Sequence, residues 1–114
     1  MGKFEGRRSS RMKLPNGDRA HVDLRKLEAY CLNVHHPRGK HKARVFASCG
    51  ITDAEALKRA LLEAAVSNDA TESGADRHGV LYVIEFNWMQ VLIRSIWMVR
   101  RNEDFPRLVS CYIP

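Results

Sequence analysis

The chain has 114 residues, 45% of them hydrophobic, and carries 19 Lys and Arg against 13 Asp and Glu for a net charge of +6. That length suits one domain with a modest core, and the apolar fraction excludes a disordered chain. The basic balance points to a polyanionic partner, nucleic acid or an acidic protein. No stretch is apolar for the roughly 18 residues a membrane span needs.

Met1–Lys13 holds Lys3, Arg7, Arg8, Arg11 and Lys13 but no apolar signal core. It reads as a flexible basic arm ahead of a single domain over 14–114. Pro15-Asn16-Gly17-Asp18 is a turn cluster, and Ala20-His21-Val22 suits a short strand beyond it. Asp23 is placed to cap a helix over Leu24–Asn33, with Leu24, Leu27, Cys31 and Val34 as its apolar stripe. His35-His36-Pro37-Arg38-Gly39 interrupts the pattern, since proline is tolerated only in a helix's first turn. A second helix over Lys40–Ser48 is expected to bury Val45, Phe46 and Cys49 and to stop at Gly50. Thr52 with Glu55 has the form of a capping box and opens a third helix over Ala54–Ser67, with Leu57, Leu61 and Ala64 or Ala65 inward.

Asn68–Arg77 is small and polar and reads as a mobile connection. Beyond it the period changes to that of strands, over Val80–Phe86, Val91–Arg100 and Leu108–Ile113, with links short enough for hairpins. The fold class expected is α+β, with N-terminal helices packed on a C-terminal antiparallel meander of three to four strands.

Two stretches hold candidate chemistry. His35 to Phe46 gathers three histidines and four Lys or Arg with no acid, a mixture suited to gripping or cleaving a phosphodiester. Helical spacing sets Lys42 at the border of the buried face, with Lys40 and Arg44 on another side, and the loop sets His36 at the helix entrance. On the last two long strands, Ser95 and Trp97 share a face, as do Ser110 and Tyr112. If Arg100 pairs with Arg107, these four form one polar-aromatic patch. A one-residue slip puts Arg94 and Arg100 beside Ser110 and Tyr112 instead. Either register offers hydroxyls to a phosphate and an aromatic ring to a base.

Other chemistries find less. His35, His36 and His41 have no carboxylate or Cys at zinc-site spacing, so no metal is expected. No glycine loop of a nucleotide site occurs, and no cofactor is expected. Cys31, Cys49 and Cys111 are odd in number and widely spaced, which suits small buried residues in a reducing cytoplasm.

His36-Pro37-x-Gly39-x-x-Lys42-Ala43-x-Val45-Phe46, Ser95-x-Trp97 and Pro106-Arg107-Leu108-Val109-Ser110-x-Tyr112 resemble a small bacterial family of unknown function whose members look like toxins of toxin–antitoxin pairs. The resemblance runs from about Leu14 to Pro114. More remotely, the order of elements resembles the barnase–EndoU–colicin–RelE ribonuclease superfamily, although Ser95 and Ser110 stand where threonine is expected.

The resemblance implies a toxin-like, metal-independent endoribonuclease, acting on RNA such as a tRNA and paired with a small antitoxin. The 2′-hydroxyl would attack phosphorus to leave a 2′,3′-cyclic phosphate. His36 is then general base or acid, Lys42 holds the phosphate, and Ser110 and Tyr112 orient it, with Tyr112 an alternative acid. Ser95 and Trp97 shape the site, Lys40 and Arg44 add affinity for RNA, and Arg94 or Arg100 supplies an extra cation. The alternative is a non-catalytic RNA-binding or protein-interaction module using the same basic surface.

Overall fold

The computed structural model describes residues 12–114. The arm's basic residues through Arg11 lie outside the described residues, but its last two do not. Met12–Lys13 form strand β1, and the Lys13 ammonium lies 3.3 Å from the Asp69 carboxylate. The chain then turns through Gly17–Arg19 and enters α1 at Leu24–Lys26, which widens into a π-helical turn over Leu27–Cys31. Helices α2 (Lys40–Ser48) and α3 (Ala54–Ser67) follow. Strands β2 (Asp69–Ala75), β3 (Gly79–Trp88), β4 (Val91–Arg100) and β5 (Pro106–Tyr112) complete the fold.

The class is α+β, as expected. The sheet, however, has five strands in the order β1-β2-β3-β4-β5, every neighbouring pair antiparallel. The extra two come from segments read as an arm and a connection. Little in the sequence Asp-Ala-Thr-Glu-Ser-Gly-Ala favours a strand. It becomes one because the edge of β3 offers unpaired backbone groups, which Thr71 to Ala75 satisfy through a bulged ladder against Val83 to Val80. The expected strand Ala20–Val22 is reduced to one parallel bridge, His21 with Arg107.

Both long helices begin and end where their periodicity says, for local reasons. Asp23 caps α1 by accepting from the Arg25 N–H. The cap of α3 is Asp53, whose carboxylate accepts from the Glu55 and Ala56 N–H groups, and not Thr52. Gly50 follows α2 at φ 80°, the left-handed geometry a helix end favours. One inward assignment in α2 is overturned: Ala43 and Phe46 are buried, while Val45 is 41% exposed. Ala43 lies three residues before Phe46 and so shares its face.

The core lies between the helices and one face of the sheet. Leu27, Phe46, Leu57 and Leu61 meet Ile84, Ile93 and Trp97, all fully buried, each contributing about 1.5–3 kcal/mol by leaving water. Alternation along β4 sends Ile93, Ser95 and Trp97 into this core and Arg94, Ile96, Met98 and Arg100 to the other face. Among the described residues, no helix lies over that second face. Among the described residues, no helix is long and apolar enough to cross a membrane.

Candidate functional site

Strand register decides which side chains meet. Across the uncovered face, Glu85 of β3 stands opposite Arg94 of β4, and Arg94 stands opposite Tyr112 of β5. The three therefore form one row across three strands. The slipped alternative holds at this end, with Ser110 opposite Ile96. A bulge between Ile96 and Trp97 then shifts the pairing, so that Met98 faces Arg107; Arg100, six residues along β4 from Arg94, is no neighbour of Tyr112.

Arg94 ties the row together. Its Nε donates to Glu85 Oε2 at 2.7 Å, and its NH2 nitrogen lies 2.7 Å from the same oxygen. Its NH1 donates to the Tyr112 hydroxyl at 3.5 Å, a long bond. These bonds, that to Tyr112 first and that to Glu85 next, raise the guanidinium's pKa above its ordinary value. Glu85 Oε1 takes no side-chain hydrogen bond among the described residues. Lys42 arrives from α2, its ammonium 4.2 Å from the centre of the Tyr112 ring, a cation–π contact. Beside the row is an open groove of about 610 Å³, with Thr71, Ser73, Val83 and Ile96 also in its walls.

Beneath Tyr112, Cys111 and Cys31 form a buried thiol pair. The hydrogen bond from Cys111 lowers the pKa of the Cys31 thiol below its ordinary value, with smaller help from the charges of Lys26 and Lys42. The same bond, then burial, drives the Cys111 thiol upward. The π-helical turn that ends at Cys31 brings it to this position.

Lys42, Arg94 and Tyr112 are thus together, and Ser110 shares their face beside Ile96. Ser95 and Trp97 are not with them. Both are fully buried in the core: Ser95 Oγ donates to the Ile84 carbonyl at 2.9 Å and accepts from Trp97 Nε1 at 2.9 Å. Their hydroxyl and ring satisfy each other and the sheet, so neither is available to an RNA. This corrects their assignment as substrate-binding residues. Lys40 is half-buried and Arg44 exposed on α2. Arg100 lies six residues along β4 from Arg94, about 20 Å at strand rise.

His36 stands at the turn before α2. Its Nδ1 accepts from the Arg38 and Gly39 N–H groups, both at 3.1 Å, while its carbonyl accepts from Lys40 N–H. It caps the turn Pro37–Gly39 that leads into α2, whose own N-cap is Gly39. The Tyr30 ring packs edge-on against it at 4.6 Å. With Nδ1 occupied as an acceptor, the ring proton sits on Nε2. Lys42 lies six residues further on, in the first turn of α2. No side-chain hydrogen bond joins His36 to Ser110 or Tyr112 among the described residues. His36→Ala is therefore expected to cost about 1 kcal/mol of stability, and His36→Asn to restore most of it, as thermal melts will check.

Residues 13–114 match the family DUF6883, a domain of unknown function. The chain belongs to that family. No curated protein and no solved structure matches it. The family covers β1 from Lys13 through the end of the chain, so it includes every residue of the row and the helix that brings Lys42 to it.

Glu85 is the site residue that sequence reasoning missed. Its signal is that it is the sole charged residue in Val80–Phe86, a carboxylate inside an otherwise apolar strand. Only the register reveals that it faces Arg94. Among the described residues, no group of three His, Cys, Asp or Glu is arranged to hold a metal ion.

Proposed function

We propose that this DUF6883 chain is a toxin-like, metal-independent endoribonuclease centred on Glu85, Arg94, Tyr112 and Lys42. The observation that carries the reading is the Glu85–Arg94–Tyr112 row under the Lys42 ammonium. It supplies a free carboxylate oxygen, one guanidinium and a phenolic hydroxyl in the wall of one groove, with the Lys42 ammonium on the Tyr112 ring as a second cation.

In this reading Arg94 and Lys42 hold the non-bridging oxygens of the scissile phosphate. Glu85 Oε1 accepts the ribose 2′ proton, and the 2′-oxygen forms its bond to phosphorus as the bond from phosphorus to the 5′-oxygen breaks. Tyr112 gives its proton to the departing 5′-oxygen. The resulting phenolate lies between the two cations, and water carries the proton from Glu85 back to it. The two cations balance charge that develops on the phosphorane, the kind of contact whose removal costs about 10²–10³ in rate. Ser110 is a further hydroxyl on the same face. His36 serves as a positioning residue that fixes the start of α2 and thereby Lys42. A small antitoxin that covers this face would keep such an enzyme silent.

The test is incubation of the purified protein with total RNA in EDTA, followed by end-group analysis. The expected result is 2′,3′-cyclic phosphate and 5′-hydroxyl ends, with Lys42→Ala slower by about 10²–10³. RNA left intact by the wild type ends this reading.

The tie between His36 Nδ1 and the backbone of the turn before α2 favours a second reading, RNA binding without cleavage, because it withdraws that nitrogen from proton transfer. In that case Lys42→Ala weakens binding in a salt-dependent way and no ends are produced.

A further inference from the structure

The uncovered sheet face continues well past the row described above. Along β4 the outward residues Arg94, Ile96, Met98 and Arg100 form a line about 20 Å long. Cross-strand pairing sets Val83 opposite Ile96 and Leu81 opposite Met98, so the middle of that line is a half-buried apolar strip with no helix over it among the described residues.

At its far end the charge changes. Two adjoining hollows share Met98 and Arg100. One, about 460 Å³, is walled by Arg77, His78 and Arg101, and the other, about 330 Å³, by His21, Lys26 and Arg107. The carboxylates nearby are engaged. Asp76 Oδ1 accepts from the His78 and Gly79 N–H groups. Glu103 is held bidentately by Arg107, and Asp23 caps α1. Arg77 and Arg100 form no ion pair among the described residues, and the backbone carbonyl of Asp76 occupies Arg101.

We infer that this face is a track for single-stranded RNA, with the scissile phosphate at Arg94 and Lys42 and a phosphate several nucleotides away at Arg77 and Arg100. The apolar strip between them receives the bases. The inference rests on the ribonuclease reading for its first anchor. Its second anchor and the strip are independent of that chemistry. A two-ended platform with cations at both ends and an apolar centre suits an unpaired strand, whose bases are free to lie on the sheet. A duplex hides its bases and presents only phosphates and grooves, so it gains nothing from the strip.

The experiment uses the full chain and two measurements. Binding of a non-cleavable 2′-O-methyl dodecamer is followed against salt for the wild type and for Arg77→Ala/Arg100→Ala. Cleavage is compared between a dodecamer and a dinucleotide. The double variant should lose about 0.7 from the logarithmic salt slope for each cation removed. Its advantage for the dodecamer over the dinucleotide in kcat/KM should fall at least about tenfold, about 1.4 kcal/mol, with an unchanged thermal melt.

An unchanged salt slope overturns the track, as does a wild type that binds a hairpin duplex as tightly as the single strand. If the slope changes as expected while neither substrate is cut, the track stands and the ribonuclease reading falls. If both substrates are cut equally well and the slope is unchanged, the reverse holds.

Discussion

On the proposed ribonuclease mechanism, Glu85→Gln should abolish most RNA cleavage, lowering it by about 10²–10⁴ while leaving RNA affinity in place. Glutamine keeps the size of the side chain and can still accept from Arg94 through its carbonyl, so the row is preserved. What it loses is the ability to take a proton at the second oxygen. Because Glu85 is on the exposed face of β3 and pairs with Arg94 there, the change removes nothing from the core. Single-turnover cleavage of a labelled RNA in EDTA gives the measurement, with Glu103→Gln as a control that removes a different carboxylate–arginine pair. Cleavage by Glu85→Gln within a few-fold of wild type would remove the carboxylate from the chemistry and shift the base to another group.

The largest expected loss of stability is for Trp97→Ala. This ring is the largest fully buried side chain, and its Nε1 donates to Ser95, which in turn donates to the Ile84 carbonyl. Truncation leaves a cavity and strips Ser95 of its donor, for a cost of about 3–5 kcal/mol. Against the roughly 5–15 kcal/mol by which domains are stable, that brings the protein close to unfolding at moderate temperature. Thermal and urea melts will register it. Ser95→Ala makes the point separately, since it removes no bulk but leaves the indole N–H without its partner, at about 1–3 kcal/mol. Had these residues lain in the substrate groove, both changes would have reduced activity with the melts unmoved. A Trp97→Ala protein as stable as wild type would contradict the burial described.

The two predictions separate faces of one sheet that the sequence motif joins. Ser95-x-Trp97 and Ser110-x-Tyr112 look alike as strings, and each pair does share a face. Alternation alone relates residues within a strand, and register relates one strand to the next. The bulge at Ile96 and Trp97 sets that register. The extra residue is Val109 of β5, and it leaves Ser110 and Tyr112 outward with Arg94, while unbroken alternation along β4 turns Ser95 and Trp97 inward.

His36 illustrates a different limit. A histidine beside proline and several cations has the composition of a phosphate site, and it also has the composition of a helix start. Its ring nitrogen is spent on two backbone N–H groups that would otherwise lack partners. Local hydrogen bonding of this kind is invisible in a count of residue types.

By itself, the sequence determined the helices α2 and α3 over their observed ranges, the three long strands, and the α+β order. It also identified Lys42 and Tyr112 as candidates and the basic character of the chain. Those properties follow from periodicity, caps and turn residues, all of which act over a few neighbouring positions. Only the tertiary structure decided that Asp69–Ala75 is a strand, that Met12–Lys13 joins the sheet, and that Glu85 completes the row with Arg94 and Tyr112. Each of those outcomes depends on which backbone edge or opposing side chain is within reach, and that is set by pairing between segments distant in the chain.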